Sequence, residues 1–470
     1  MILIKRNNYN FSKAFKILNS YYNKCLYTTN IINNNKQTPN NNKLLNIINN
    51  NNKSKNKSLY LNEVKENPNN SVALFNLASS LESNESIKVE TKDGSVSEEN
   101  RKSIYLKILN LEINDENRAD ISNSYNNLAY QYMEGIPTID LLNGEKKTKR
   151  ELYLKSIELN KDNSPSYNNL ANTMHPSETV HVNGRDWKKR ELYLKSIELD
   201  PHDSNAYHNL ANSLQSSNEE VTLNDGVTKM TARDLYLKSI DLQPYGSNSY
   251  FNLAVLMGSP DEVVTLLNGT KMTEKDLYLK DIDVNAASKN VSYSYNNLAN
   301  LMPSSNEVVH LLDGRPFSKK MLYCKAIEID GTNVEAYNNL SILLKDINDQ
   351  VPINGKAVSK LDLLIKLIQM DPTNPIYYYN TALNLVKSNQ AQQVIKINGD
   401  RMTPLDLVAK SIDLNPKEPN FFRLFSKLMD INGIEKIVLL NGKTIYNTDI
   451  KTKLNIKSDN GIFSIFKKLF

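Results

Sequence analysis

Along residues 205–214 the apolar side chains Tyr207, Leu210, Ala211 and Leu214 fall at i, i+3, i+4 and i+7. That spacing is one face of a 3.6-residue helix and predicts a helix buried on that side. The pattern returns around an anchor leucine at Leu77, Leu128, Leu170, Leu210, Leu253, Leu298 and Leu340, with weaker copies at Ala382 and Leu424. Successive anchors lie 40 to 51 residues apart. An Asn-Gly or Asp-Gly pair follows every anchor, ending at Gly94, Gly144, Gly184, Gly226, Gly269, Gly314, Gly355, Gly399 and Gly442. Nine anchors alternating with nine turn signals define an internal repeat.

The glycine pairs sit between short β-branched runs, as in Val394 to Met402, and predict a β-hairpin in each repeat. A two-residue Asn-Gly loop suits a type I′ turn, with positive φ at both central residues. The pairing then sets Ile395 opposite Met402, Val180 opposite Trp187 and Val351 opposite Val358. A second helix follows, with capping-box starts at Thr148/Glu151, Thr231/Asp234, Thr273/Asp276, Ser359/Asp362 and Thr403/Asp406. Pro404 occupies a first helical position, where its missing N–H costs nothing. These helices stop at Pro201, Pro244, Pro372 and Pro416.

The expected fold is mostly α: an α-solenoid of about nine helix–β-hairpin–helix repeats. All hairpins leave at the same point of the repeat. Two paired strands occupy about 10 Å across the hydrogen-bonding direction, close to the roughly 8–10 Å advance of packed helices. We therefore expect some adjacent hairpins to hydrogen-bond into a longer ribbon.

The helix pair resembles the tetratricopeptide-repeat (TPR) family over roughly residues 58–456. The family's first-helix pattern is matched by Tyr207, Leu210, Ala211 and Leu214, by Tyr250, Leu253, Ala254 and Met257, and by Tyr125, Leu128, Ala129 and Tyr132. Its second helix, an aromatic, a small residue and a proline, is matched by Tyr193, Ser196 and Pro201 and by Tyr236, Ser239 and Pro244. The family's period is about 34 residues. The hairpin accounts for the longer repeat here. The resemblance implies a superhelical stack whose first helices line the inner groove, and a protein-binding rather than catalytic role.

The array reads as residues 58–456, with a lone second-type helix at its start and a C-terminal tail or cap at 457–470. That tail is short, basic and aromatic; we expect it to fold over the last repeat, with membrane contact the lesser alternative. Residues 1–57 read as a basic, Asn-rich tail, because a poly-Asn tract cannot bury enough surface to offset ordering. Residues 1–62 carry ten Lys/Arg and no acid, so the rest of the chain is net −5 although the whole is +5. In residues 1–30, Phe11, Phe15, Leu18, Tyr22 and Leu26 at helical spacing resemble a mitochondrial presequence; the address is mitochondrial or cytoplasmic. No apolar run is long enough for a transmembrane helix.

Candidate chemistry is sparse. Nine of fifteen glycines stand in hairpin turns, and no phosphate-binding loop exists. His175, His181, His202, His208 and His310 are scattered, and His208 reads as a surface substitution. Cys25 and Cys324 form no metal or disulfide spacing, and Cys324 reads as a small buried hydrophobe. We expect no metal, no cofactor and no catalytic residue. One feature points to binding: the residue before the anchor is Asn76, Asn127, Asn169, Asn209, Asn252, Asn297 or Asn339. That position points about 150° from the centre of the apolar face. A ladder of amides there would face the groove and bond a peptide backbone. Clamping of a terminal carboxylate is not expected, since the required cations are absent at Pro165, Asn168, Asn205, His208, Asn248, Phe251, Glu335 and Asn338. The leading function is a non-catalytic scaffold for a protein or peptide. The alternative is a helical-repeat RNA binder, which the acidic balance of the array disfavours.

Overall fold

A computed structural model describes residues 56–82, 84–131, 136–438 and 444–454. The presequence-like residues 1–30, Cys25, Tyr132, Gly442 and the C-terminal tail lie outside the described residues. Where the sequence reads as one array, the chain groups into two compact units. The first is Met1–Gly258 with Glu262–Met272, and the second is Ser259–Asp261 with Thr273–Phe470.

Each repeat is a first (A) helix, a two-stranded hairpin and a second (B) helix. In the first unit the A helices are Ser71–Ser80, Arg118–Tyr130, Ser164–Asn172, Ser204–Asn212 and Ser249–Val255. Its B helices include Arg101–Leu109, Lys149–Leu159, Lys189–Leu199 and Ala232–Leu242, and residues 56–66 are helical ahead of them. In the second unit the A helices are Val291–Leu301, Val334–Leu343, Pro375–Lys387 and Pro419–Ile431. Its B helices are Glu274–Val284, Lys319–Ile329, Lys360–Met370, Pro404–Leu414 and Asn447–Leu454. Within a unit, each B helix packs on its own A helix and on the next, and several consecutive A helices also touch.

The anchors form the core. Leu170, Leu210, Leu253, Leu298 and Leu340 are fully buried, with Tyr153, Tyr193 and Tyr278 beside them. Each buried leucine contributes about 2 kcal/mol. All five capping boxes form, each Thr or Ser accepting from the backbone N–H three residues on. A serine at the small position of the B helix lets two backbones close up. Ser164 Oγ donates to the Ser196 carbonyl at 3.0 Å and Ser196 Oγ to that of Ser164 at 3.0 Å. Ser122 and Ser156 repeat the exchange at 2.9 and 2.7 Å.

The hairpins correct two expectations. Among the described residues every sheet has two strands, so no ribbon forms. Each hairpin instead packs on its own helix pair, Trp187 on Tyr167 at 5.7 Å and Phe317 on Tyr295 at 6.1 Å. The tips lean on the preceding B helix, where Asn183 Nδ2 donates to the Ile157 carbonyl (3.2 Å) and the Asn354 N–H to Glu328 (3.1 Å). These contacts hold the strand edges away from the neighbouring hairpin. The cross-strand pairs stand as expected: Ile395 with Met402, Val180 with Trp187 and Val351 with Val358.

Only three described turns are type I′, with positive φ at both Asn183/Gly184, Asn354/Gly355 and Asn398/Gly399. At Gly94, Gly144, Gly226, Gly269 and Gly314 the glycine alone is positive. There one extra residue enlarges the loop, and two do so at Gly226, where Leu223 pairs with Thr228. Leu142, for example, lies inside a turn closed by the Gly144 N–H on the Leu141 carbonyl at 3.0 Å, and Leu141 then pairs with Glu145. This is a type I turn followed by a glycine bulge.

Candidate functional site

The asparagines before the anchors lie between consecutive A helices, where their amides bond from repeat to repeat. Asn169 Nδ2 donates to Asn126 Oδ1 at 3.0 Å, Asn126 Nδ2 to Asn127 Oδ1 at 3.2 Å, and Asn127 Nδ2 to the Tyr105 hydroxyl at 3.1 Å. The second unit builds the same relay. Asn339 Nδ2 donates to Asn296 Oδ1 (3.0 Å), Asn296 Nδ2 to Asn297 Oδ1 (3.1 Å), and Asn297 Nδ2 to the Tyr278 hydroxyl (3.2 Å). Asn209 Nδ2 donates to Asn168 Oδ1 at 2.9 Å.

Asn252 breaks the rule for a visible reason. The acceptor used elsewhere stands two residues before the preceding anchor, as Asn126, Asn168 and Asn296 do, and here that residue is His208. Asn252 Nδ2 bonds instead to Asn212 Oδ1 at 2.9 Å, which also accepts from the Tyr236 hydroxyl at 2.6 Å. Tyr193 and Tyr323 donate likewise to Asn172 and Asn300, both at 2.7 Å.

A ladder of amides with both donors free is therefore not what the fold presents. Asn169 and Asn209 are buried, and Asn127, Asn252, Asn297 and Asn339 are half-buried. Their N–H groups join helices, because rungs one repeat apart come within hydrogen-bond reach. The carbonyl side differs. Among the described residues no donor meets Oδ1 of Asn169, Asn209, Asn252 or Asn339, and none of these oxygens is a buried unsatisfied atom. Water reaches them. Anchor spacing found the donors; the recurring Asn at two positions before and two after the anchor, in Asn-Asn-Leu-Ala-Asn, was the signal for their acceptors.

Charge is sorted between the two kinds of helix. Ser71–Ser80, Ser164–Asn172, Ser204–Asn212, Ser249–Val255 and Val291–Leu301 contain no Asp, Glu, Lys or Arg. The B helices carry the ions, as in Lys149–Leu159 with its Lys155–Glu158 pair.

Two buried titratable groups accompany the ladder. His208 is buried, not on the surface as the sequence suggests, because its position faces the next repeat. Its ring lies 5.7 Å from that of Tyr236, and its Nδ1 is 2.8 Å from Ser249 Oγ. Burial pulls its pKa down to about 4. Asp281 takes the place of the small serine of sister repeats and is buried. Burial raises it to about 6, against hydrogen bonds from Ser294 and from Asn285 Nδ2. Cys324 is buried, and burial pushes its thiol up to about 11, a group too weakly ionised to act as a nucleophile at neutral pH. Among the described residues no three His, Cys, Asp or Glu side chains are grouped to hold a metal. No helix there is long and apolar enough to cross a membrane.

The family model described as "Tetratricopeptide repeat" matches residues 152–191 and 192–224. The crystal structure of yeast Tom70 is similar to this chain at 13% identity and a TM-score of 0.35, covering 96% of this chain and 72% of that one. YrrB, a TPR protein with an unusual peptide-binding site, is similar at 13% identity and a TM-score of 0.24, covering 61% of this chain and all (100%) of that one. No curated protein matches. The matched stretch runs from one B helix to the next hairpin, and the same unit recurs on both sides of it. Residues 152–224 thus match the tetratricopeptide-repeat family, and the described repeats on both sides share their plan of two helices with a β-hairpin between them.

Proposed function

We propose that this protein is a non-catalytic scaffold that binds a protein or peptide partner along its A helices, at Asn127, Asn169, Asn209 and Asn252 in the first unit and Asn297 and Asn339 in the second. One observation carries the reading. Each amide of the ladder spends an N–H on a neighbour, while Oδ1 of Asn169, Asn209, Asn252 and Asn339 meets no donor among the described residues, on helices almost without charge. A row of acceptors suits the backbone N–H groups of an extended segment, which need partners when they leave water. The RNA alternative has no such support. Phosphates call for Lys and Arg, and most A helices carry neither. The test is affinity capture by the full chain and by a variant with Asn169, Asn209 and Asn252 changed to Ala. The variant should lose its partners at least tenfold; undiminished capture would remove the ladder from the site.

A further inference from the structure

We propose that the A-helix face of the first unit is occupied by this chain's own asparagine-rich segment, residues 31–52. The proposal rests on the reading of that face as a partner site and names its ligand. Three observations converge on it.

The first is the lack of charge. Four of the five A helices of this unit have no ionic residue. The fifth has only Arg118 and Asp120 in its first turn, and Asp120 accepts from Ser71 Oγ at 2.6 Å. A charged ligand laid on such a face would lose water and gain no counter-ion, which is costly. The ligand is therefore neutral along most of its length.

The second is the kind of polar group left open. Oδ1 of Asn169, Asn209 and Asn252 is left to accept, and each amide has already spent at least one of its two N–H groups. A neutral ligand must then bring more donors than acceptors. Backbone and primary-amide N–H groups are the neutral donors proteins hold in quantity. Residues 31–52 contain eleven Asn and one Gln, only two Lys, and no acid. Their Ile and Leu pairs at 31–32, 44–45 and 47–48 match apolar positions on the same helices, the exposed Val72 and the half-buried Phe75 and Val255.

The third is reach. The segment ends four residues before the helix at 56–66 that precedes the first A helix. Twenty-two extended residues span up to about 75 Å. Five A helices at roughly 8–10 Å each need about 40 Å. A tether this short gives an effective concentration on the order of millimolar, so even weak contacts would fill the face.

The probe is a fluorescent peptide of residues 31–52, titrated against the full chain and against a full chain carrying Asn33→Asp, Asn34→Asp, Asn41→Asp, Asn49→Asp and Asn50→Asp. The changes lie outside the helical repeats, so folding is preserved. The peptide should bind the variant at least tenfold more tightly than the parent, because the variant vacates its own face. A peptide with the same five Asp residues should bind neither. Equal affinity for parent and variant overturns the proposal, as does preference for the Asp-bearing peptide. A parent that self-associates beside a monomeric variant overturns occupancy within one chain in favour of a second copy. If the peptide binds neither chain while Ala substitution of the ladder still abolishes partner capture, the occupant is wrong and the partner face stands. If the ladder substitutions affect neither measurement, both readings fail.

Discussion

Asn209 and Asn168 hold consecutive A helices together through one amide–amide hydrogen bond of 2.9 Å, and both side chains are buried. Changing Asn209 to Ala strands the Asn168 carbonyl in that interface. The expected cost is about 1–2 kcal/mol of stability in urea unfolding. Adding Asn168→Ala should recover part of it, giving a coupling near 1 kcal/mol in the double-mutant cycle. Strictly additive losses would mean the pair does not interact.

Asp281 makes the second unit sensitive to pH. Its folded pKa is raised to about 6 from an ordinary 3.8, so the folded chain holds a proton that the unfolded chain sheds between those values. Stability therefore falls as pH rises from about 4 to 6, and the full cost of the buried charge remains above 6. Asp281→Ser should be more stable relative to the parent at pH 7 than at pH 3.5, by about 3 kcal/mol at most. Guanidinium unfolding at both pH values reads the difference, and a pH-independent one would contradict the assignment.

His208 acts in the opposite direction in the first unit. Its folded pKa is depressed to about 4 from 6.5, so the unfolded chain takes up the proton first as pH falls. That unit loses stability from about pH 6.5 downward, by up to about 3 kcal/mol near pH 4. His208→Asn, the residue of the sister position Asn168, should flatten this limb and give Asn252 back the usual acceptor. Retention of the full slope in the variant would assign it to another group.

Hairpin turns differ in how they tolerate substitution. Gly184 lies at φ +76 with open space where a Cβ would stand, so Gly184→Ala costs backbone strain alone, about 1 kcal/mol. Asn183→Gly, at φ 52, relieves the turn but removes the Nδ2 bond to the Ile157 carbonyl, and should cost about 1 kcal/mol through that lost contact. Thermal melts of the two variants separate turn conformation from packing.

The sequence made the helices, caps and strand pairs legible because each depends on local rules: Thr231 and Asp234 sit three apart, and Ile395 and Met402 are fixed by the turn between them. What one repeat does to the next is harder to see. The helical angle that aims Asn209 away from its own core aims it at Asn168 of the preceding repeat, so solvent and neighbour look alike from one helix. The burial of His208 escapes the sequence for the same reason. Equal pitch of strands and helices favours a ribbon, but contacts such as those of the Asn183 side chain and the Trp187 ring tie a hairpin to helices instead.

The central claim is that partners are read on the uncharged ladder face, and loss of stability alone could imitate loss of that face. The decisive measurement is capture by the full chain, by the Asn169→Ala, Asn209→Ala and Asn252→Ala combination, and by a control brought to the same urea stability by adding cap substitutions such as Thr148→Ala and Thr231→Ala to Gly184→Ala, all in the same unit away from the ladder. The ladder variant should lose its partners at least tenfold while the matched control keeps them. Equal losses in the two, or none in the ladder variant, would contradict the account.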